Sequence, residues 1–155
     1  EPAEPDIMRR KPRPTNDNIF AHGMWQRIVW VGLFIAAISL AAMAWAFSRE
    51  AAHWQTMVFT VLTVSQLFNS LSVRSESASL FRIGLFSNLP LLAAVMITLL
   101  LQMAVIYTPA LNVIFHTQPL PMFDLAVCIA LSSLVLFAVE IEKWLVRRGV
   151  LYAQL

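Results

Sequence analysis

The chain has 155 residues, of which 59% are hydrophobic and 13% are charged, whereas soluble globular proteins average about 45–50% and about 25%. Together with a mean hydropathy of +0.69, this composition excludes an ordinary soluble domain. The net charge of +2 is too small to indicate a nucleic-acid partner. The single cysteine, Cys128, excludes a disulfide within the chain, and we interpret it as a small core residue.

The chain begins with a polar segment, residues 1–23, which contains four prolines and is predicted to be an extended cytoplasmic connector. It opens without an initiator Met, a charged leader or a cleavage site, so we expect a piece of a longer protein. Residues 24–145 are predicted to form a membrane domain with four apolar segments, each near the roughly 20 residues that cross hydrocarbon as a helix. These segments are residues 28–47, 56–72, 89–107 and 123–139. Residues 146–155 form a tail.

The joins between these segments are short, which makes consecutive helices antiparallel neighbours. The predicted fold is therefore an all-α, four-helix transmembrane bundle. Ser87 or Asn88 is expected to cap the third helix, with Pro90 in the first turn, where a missing N–H does little harm. The join at 108–122 contains three prolines, which are expected to stiffen it.

Basic residues predict the orientation of the bundle. Ten of the eleven Lys and Arg residues lie in the connector, the start of the first helix, the 73–87 join or the tail. Only Arg49 lies in the two remaining joins. Because cytoplasmic loops are enriched in Lys and Arg, we predict that both termini and the 73–87 join face the cytoplasm.

The second apolar segment is predicted to be a helix with one polar face. At 100° per residue, five polar side chains fall within an arc of about 120°, and Asn69 lies at the edge of that arc. The five are Thr56, Thr60, Thr63, Gln66 and Ser70. An amide in hydrocarbon is costly unless it finds a partner, so Gln66 and Asn69 indicate either helix packing or a solute path.

Other polar residues predict contacts between helices. Glu140 and Lys143, three residues apart, are expected to meet on one helix face at the cytoplasmic end. For Glu140, a structural tie to a neighbouring loop is favoured over a role as an ion ligand. Gln102, Ser132 and Ser133 are expected to make hydrogen bonds between helices.

Two further features concern surfaces. Asp124 and His116 are interpreted as solvated residues of the outer surface, and the three histidines share no metal-ligand spacing. Small residues along one stripe of the first segment permit close packing, either among these four helices or on a helix outside the chain. They are Gly32, Ala36, Ser39 and Ala46.

Several strings resemble the C-terminal membrane region of type II P-type ATPases, particularly the calcium pumps. The opening EPAEPDIMRRKPRP resembles the segment that follows the sixth membrane helix. QLFNSLSVRSE, beginning at Gln66, and then SLFRIGLFSN resemble the eighth helix and the loop into the ninth. VIYTPAL at 105–111 resembles the exit of the ninth helix, and VEIEK at 139–143 resembles the close of the tenth. The strings keep the family's order and separations over nearly the whole chain.

This resemblance implies that the four segments are helices seven to ten of a ten-helix pump. The parent would use ATP and Mg²⁺, through a phosphorylated aspartate, to transport Ca²⁺. Its remaining membrane helices, its cytoplasmic phosphorylation domain and the lipid bilayer would be the partners. The 155 residues contain no DKTGT phosphorylation string, so this chain is expected to hold no catalytic residue and no cofactor. The alternatives are a free-standing four-span scaffold protein and the same region of a sodium, potassium or proton pump.

In the two-ion calcium pumps, the family pattern has a glutamate three residues before an asparagine of the eighth helix. In this sequence the asparagine is Asn69, and Gln66 stands in place of the glutamate. Ca²⁺ sites gain affinity from charged oxygens, so a neutral amide at this position predicts a weak or absent second ion site. The resemblance to plasma-membrane type pumps likewise implies one Ca²⁺ per cycle. Gln66, with Asn69 as a weaker neighbour, is expected to line the ion path without anchoring the ion. Hydrogen bonds to adjacent helices are the alternative for both amides. The plasma membrane is the expected location.

The connector carries four clustered basic residues: Arg9, Arg10, Lys11 and Arg13. In the family this segment runs beneath the cytoplasmic phosphorylation domain, so docking against that domain is one prediction. Attraction to anionic lipid, worth about 1 kcal/mol per basic residue, is the other.

Overall fold

The structure is a computed structural model that describes residues 24–73, 80 and 84–151. The connector, with Arg9, Arg10, Lys11 and Arg13, lies outside the described residues. Within the described ranges the chain forms five α-helices and a short 3₁₀ turn, and these ranges contain no strand. The elements are α1 (Met24–Ser48), α2 (Trp54–Val73), the 3₁₀ turn (Leu85–Ser87), α3 (Leu89–Tyr107), α4 (Pro109–Phe115) and α5 (Met122–Arg147).

Four of these helices are long and apolar enough to cross a membrane, namely α1, α2, α3 and α5. They contain 25, 20, 19 and 26 residues, which corresponds to lengths of about 28 to 39 Å at about 1.5 Å per residue. The predicted all-α fold with four spans is confirmed. The helices start and end within a few residues of the predicted segments except α5, which continues through the VEIEK string to Arg147.

The start of α3 forms as its sequence predicts. The Asn88 side-chain oxygen accepts a hydrogen bond from the backbone N–H of Leu91 across 3.0 Å, which satisfies one of the free donors of the first turn. Pro90 lies in that turn, where its missing N–H leaves no intrahelical bond unmade. The choice between Ser87 and Asn88 as the cap is therefore decided for Asn88.

The helix α2 lies at the centre of the bundle and packs on α1, α3 and α5. It runs parallel to α5, because three hydrogen bonds between the two helices each join residues 71 positions apart. In contrast, α1 runs antiparallel to α5, since Arg27 near its start contacts Glu142 and Arg49 just after its end contacts Asp124. Three spans therefore form a tight group, in which α2 and α5 run in one direction and α1 runs in the other.

The apolar core lies between α1, α2 and α5. Its fully buried members include Ala42 and Ala46 of α1, Met57 and Val61 of α2, and Cys128 of α5. The interpretation of the cysteine as a core residue is confirmed. The helix α3 is peripheral, because its buried residues number only three: Val95, Gln102 and Ile106.

Two expectations about α5 are wrong. Asp124 is buried, with 6% of its surface exposed, because two basic side chains from the α1–α2 turn pair with it. Ser133 does not reach a neighbouring helix, since its hydroxyl donates to the Ala130 carbonyl of its own helix across 2.7 Å. His116, in contrast, is exposed, as expected.

The stripe of small residues on α1 divides between the interior and the surface. Ser39 and Ala46 are buried in the bundle, so this half of the stripe packs within the chain. Gly32 and Ala36 are exposed, and a Cβ atom placed on Gly32 would meet nothing within 4 Å. Packing within the chain is therefore confirmed for Ser39 and Ala46, and packing on a helix outside the chain stays a prediction for Gly32 and Ala36.

Candidate ion-path face

The first part of the polar face of α2 turns into the bundle. Thr56 and Thr60 are buried. The Thr56 hydroxyl accepts from the backbone N–H of Gln118 across 2.8 Å, and the Thr60 hydroxyl accepts from the Gln102 amide across 3.3 Å. The prediction of an interhelical hydrogen bond at Gln102 is confirmed. These two threonines are satisfied within the chain and serve packing.

The face of α2 that contains Gln66 and Ser70 of the predicted polar face remains exposed along the whole helix. Its six side chains recur at intervals of three or four residues, which is the spacing of one helix face. This face, which we call the Gln66 ridge, consists of Gln55, Phe59, Leu62, Gln66, Ser70 and Val73. The Ser70 hydroxyl donates to the Gln66 backbone carbonyl across 2.8 Å. The Gln66 side-chain amide makes no hydrogen bond to any residue that the structure describes.

Asn69 is placed differently from Gln66. It is half-buried, and its side-chain oxygen is enclosed without a hydrogen-bond partner among the described residues. The buried hydroxyl oxygens of Ser65 and Ser72 also lack a partner there, and spacings of four and three residues place all three side chains on one helix face. The structure therefore does not bring Gln66 and Asn69 into one shared site.

The end of the bundle that contains Lys143, called the Lys143 end, is held by buried charges. Lys143 is 1% exposed and donates to the Ser72 carbonyl across 2.5 Å and to Glu140 across 3.1 Å. Glu140 in turn accepts from the backbone N–H of Leu80 across 3.1 Å. Lys143 thus supplies a donor to the last turn of α2, whose carbonyls lack intrahelical partners, and Glu140 holds the backbone at Leu80.

A second acidic residue ties α1 to α5 at the same end. Glu142 is 5% exposed and accepts from the Trp30 indole N–H across 2.9 Å. The Arg27 guanidinium forms an ion pair with it, with 3.3 Å between Nε and Oε2. Sequence reasoning missed these three residues. The available signal was the opposite charge of the EIEK string in α5 and of the Arg near the start of α1, which lie at matching ends of the two helices.

The opposite end of the bundle, called the Asp124 end, is held by a buried carboxylate. Asp124 accepts from His53 across 2.5 Å through one oxygen and from Arg49 across 3.3 Å through the other. The Arg49 guanidinium also lies 4.6 Å from the centre of the Trp45 ring, a cation–π contact. The signal in the sequence was the presence of Arg49, the one Lys or Arg of its join, together with an acidic residue at the start of the fourth span.

The side chains that most often bind metal ions do not cluster in the part of the chain that the structure describes. No group of three or more His, Cys, Asp or Glu residues converges in residues 24–73, 80 and 84–151. The Gln66 ridge carries neutral oxygens only. It can therefore contribute to a cation path as a partial lining, with charged ligands coming from elsewhere.

Comparison with known proteins decides the family. A family model described as the C-terminus of cation transporting ATPases matches residues 1–145. This chain belongs to the cation-transporting ATPase family. The resemblance to P-type calcium pumps that the sequence strings predicted is thereby confirmed, and the free-standing scaffold is left without support.

Individual relatives of this ATPase region carry calcium in their names. A calcium-transporting ATPase 1 of Schizosaccharomyces pombe is 32% identical over 150 residues, covering 96% of this chain and 17% of the relative. The mouse calcium-transporting ATPase type 2C member 2 is 35% identical over 150 residues, with 92% and 16% covered. A calcium-transporting ATPase of Bacillus subtilis is 34% identical over 137 residues, with 86% and 15% covered. The chain thus spans about a sixth of the length of these relatives.

Family membership and the four apolar helices together make this ATPase region part of an integral membrane protein. The match to a C-terminal family model also agrees with the order of the strings along the chain.

Proposed function

We propose that this chain is the C-terminal membrane domain of an ATP-driven Ca²⁺ pump, and that its Gln66 ridge faces the remaining membrane helices and lines the ion path. The observation that carries the proposal is the Gln66 amide, which is exposed in a membrane span and finds no partner in the described part of the chain. The relatives named calcium-transporting ATPases support Ca²⁺ as the transported ion.

Gln66 lies well inside its membrane span. Gln66 is the thirteenth residue of the twenty in α2, so it lies about 18 Å along a helix of about 30 Å. An amide left in hydrocarbon at that depth loses its hydrogen bonds to water without replacement. Polar side chains at such positions face a bundle interior or a hydrated cavity. The lipid-facing alternative for this side of α2 is therefore disfavoured.

The chemistry of the amide limits what Gln66 does. A glutamine offers Ca²⁺ one neutral carbonyl oxygen, whereas the affinity of calcium sites rises with the number of charged oxygens. In this proposal Gln66 lines the path and the charged ligands lie on helices outside this chain. The pump then carries one Ca²⁺ per ATP, and a second ion site at this position is weak or absent.

The rest of the pump would supply the chemistry that the chain lacks. ATP, Mg²⁺ and the phosphorylated aspartate belong to the cytoplasmic domains of the proposed parent. Both termini of this chain face the cytoplasm in this arrangement, with the plasma membrane as the proposed location. The connector residues Arg9, Arg10, Lys11 and Arg13 dock beneath the phosphorylation domain or bind anionic lipid.

Transport by the full-length pump in vesicles tests the role of Gln66. Replacing Gln66 by Ala is expected to weaken the apparent Ca²⁺ affinity about three- to tenfold, in line with about 1 kcal/mol for a neutral polar contact. The matched control is Gln55→Ala, which removes the same amide from the same ridge near the helix end. Equal behaviour of the two variants would make Gln66 a packing residue.

The ratio of ions moved to ATP hydrolysed tests the stoichiometry. Radioactive Ca²⁺ uptake and phosphate release, measured in the same vesicles, are expected to give a ratio near one. A ratio near two would contradict the one-ion proposal. ATP hydrolysis that depends on Na⁺, K⁺ or H⁺ and is indifferent to Ca²⁺ would overturn the choice of ion.

A further inference from the structure

The segment between α3 and α5 exposes apolar side chains at its surface, unlike a loop that lies in water. Residues 105–123 contain no Asp, Glu, Lys or Arg. In α4, which this segment forms, the side chains of Val113, Ile114 and Phe115 are 76%, 68% and 53% exposed. A loop in water normally turns such side chains inward and shows its polar groups. Here the surface of the helix is apolar.

Hydrogen bonds fix the depth of α4 relative to the third span. The Asn112 amide donates to the carbonyls of Val105 and Ile106 across 2.8 and 2.9 Å, and the Thr117 hydroxyl donates to Val105 across 2.7 Å. Both carbonyls belong to the last turn of α3, which ends at Tyr107. These bonds therefore hold α4 at the last turn of the span, both at its middle through Asn112 and just after its end through Thr117.

Two further hydrogen bonds tie the same segment to the start of α2 and to the end of α3. The backbone N–H of Gln118 donates to the hydroxyl of Thr56, the third residue of α2. The Tyr107 hydroxyl donates to the Leu120 carbonyl across 3.0 Å, just before α5 begins. The join is thus tied at Gln118 and Leu120 to the ends of membrane helices at the Asp124 end.

Two polar side chains of this segment form hydrogen bonds within the bundle. Asn112 and Thr117 are turned toward α3, and the Asn112 amide also donates to the Thr117 hydroxyl across 2.9 Å. The outward side continues the exposed apolar surface of α3, where Leu100 and Leu101 are 66% and 62% exposed. Two charged side chains at this end are exposed, Arg49 and Glu50, and both belong to the α1–α2 turn. The Arg49 guanidinium lies against the ring of Phe123, 5.5 Å from its centre.

We propose that α4 is a re-entrant hook that inserts Val113, Ile114 and Phe115 into the bilayer at the boundary between headgroups and acyl chains. The occupant of this surface is lipid, because the hydrogen bonds place α4 at the depth of the last helical turn and the surface is uncharged and continuous with that of α3. Interfacial helices bury an apolar face to this shallow depth. The residues just after the hook also hold the start of α2, through the bond from Gln118 to Thr56. This bond helps to set the depth of the Gln66 ridge in the membrane.

Nitroxide labels on the full-length pump in phosphatidylcholine vesicles test the hook. The label is placed at Ile114→Cys, with Leu100→Cys as the control for lipid and Glu50→Cys as the control for water. The native Cys128 is fully buried, and protein without an introduced cysteine gives the background signal. Accessibility is measured to dissolved oxygen, which concentrates in lipid, and to a water-soluble nickel chelate.

The label at Ile114 is expected to resemble that at Leu100, with oxygen accessibility several-fold above that to the nickel chelate. Behaviour like that at Glu50 would show an aqueous loop and overturn the proposal. Low accessibility to both reagents would show that protein covers α4 and would overturn it equally. If Ile114→Cys does not yield folded pump, Val113→Cys on the same exposed surface provides the same measurement. None of these outcomes depends on which ion the pump carries.

Discussion

Lys143 and Ser72 join two parallel membrane helices directly, because the lysine ammonium donates to the serine carbonyl oxygen across 2.5 Å. Ser72 lies in the last turn of α2, where carbonyls have no intrahelical donor. The cation therefore serves the C-terminus of a helix other than its own, where positive charge is also favoured by the helix dipole. The bond fixes where α5 lies along the length of α2, the helix that carries the Gln66 ridge.

Replacing Lys143 by Met is expected to destabilise the pump by about 3 kcal/mol or more, because removing one member of a buried ion pair leaves the other charge uncompensated. Glu140 and the Ser72 carbonyl would both lose the ammonium. Thermal unfolding in detergent measures the effect. Arg148→Met, an exposed basic residue at the same end, is the control and should change stability by no more than about 0.5 kcal/mol.

Replacing Asp124 by Asn is expected to destabilise the Asp124 end by about 1–3 kcal/mol, because His53 and Arg49 then lose a charged acceptor. A double-mutant cycle with His53→Gln separates the pair from the single effects, and we expect a coupling of about 1 kcal/mol. Additive effects within about 0.3 kcal/mol would show that the pair does not contribute. Glu50→Gln, an exposed acidic residue of the same turn, is the matched control.

Replacing Asn112 by Ala is expected to destabilise the pump by about 1–3 kcal/mol, because the last turn of α3 loses donors to two carbonyls. The same substitution should loosen α4, which hydrogen–deuterium exchange of residues 109–118 would detect as faster exchange. Thr108→Ala is the control, since the Thr108 side chain makes no capping hydrogen bond at the start of α4. Unchanged exchange in the Asn112 variant would contradict the role given to this amide.

Replacing Gln102 by Leu is expected to have a small effect, near about 0.6 kcal/mol, which is the average for hydrogen bonds between membrane helices. The bond to Thr60 is long, at 3.3 Å, and leucine fills a similar volume. A double-mutant cycle with Thr60→Val checks the coupling. A coupling above about 2 kcal/mol would show that this contact has a larger role than packing.

The sequence predicted those features that depend on local pattern. Span length and hydropathy located all four membrane helices, and the order Asn88, Leu89, Pro90 carried the chemistry of a helix cap. Likewise, the burial of Cys128 follows from its apolar surroundings. Each of these features is decided within one or two helical turns, so no tertiary information was needed.

Features that depend on distant partners escaped prediction. Asp124 is buried because Arg49 and His53 lie 75 and 71 residues away in the chain and meet it only after the helices pack. The attachment of α4 to the end of α3 depends on the Asn112 amide reaching the Val105 carbonyl, which the three prolines of that join did not indicate. For the polar face of α2, the sequence predicted the face but not its division between a packed half, with Thr56 and Thr60, and the exposed Gln66 ridge.

The most direct test of the account asks what the Gln66 ridge contacts in the full-length pump. A photoreactive benzophenone amino acid at position 66 is illuminated in vesicles, and its products are identified by mass spectrometry. We expect cross-links to other membrane helices of the same pump, while the same group at position 100 in α3 reacts with lipid. Cross-linking of position 66 to lipid alone would contradict the account.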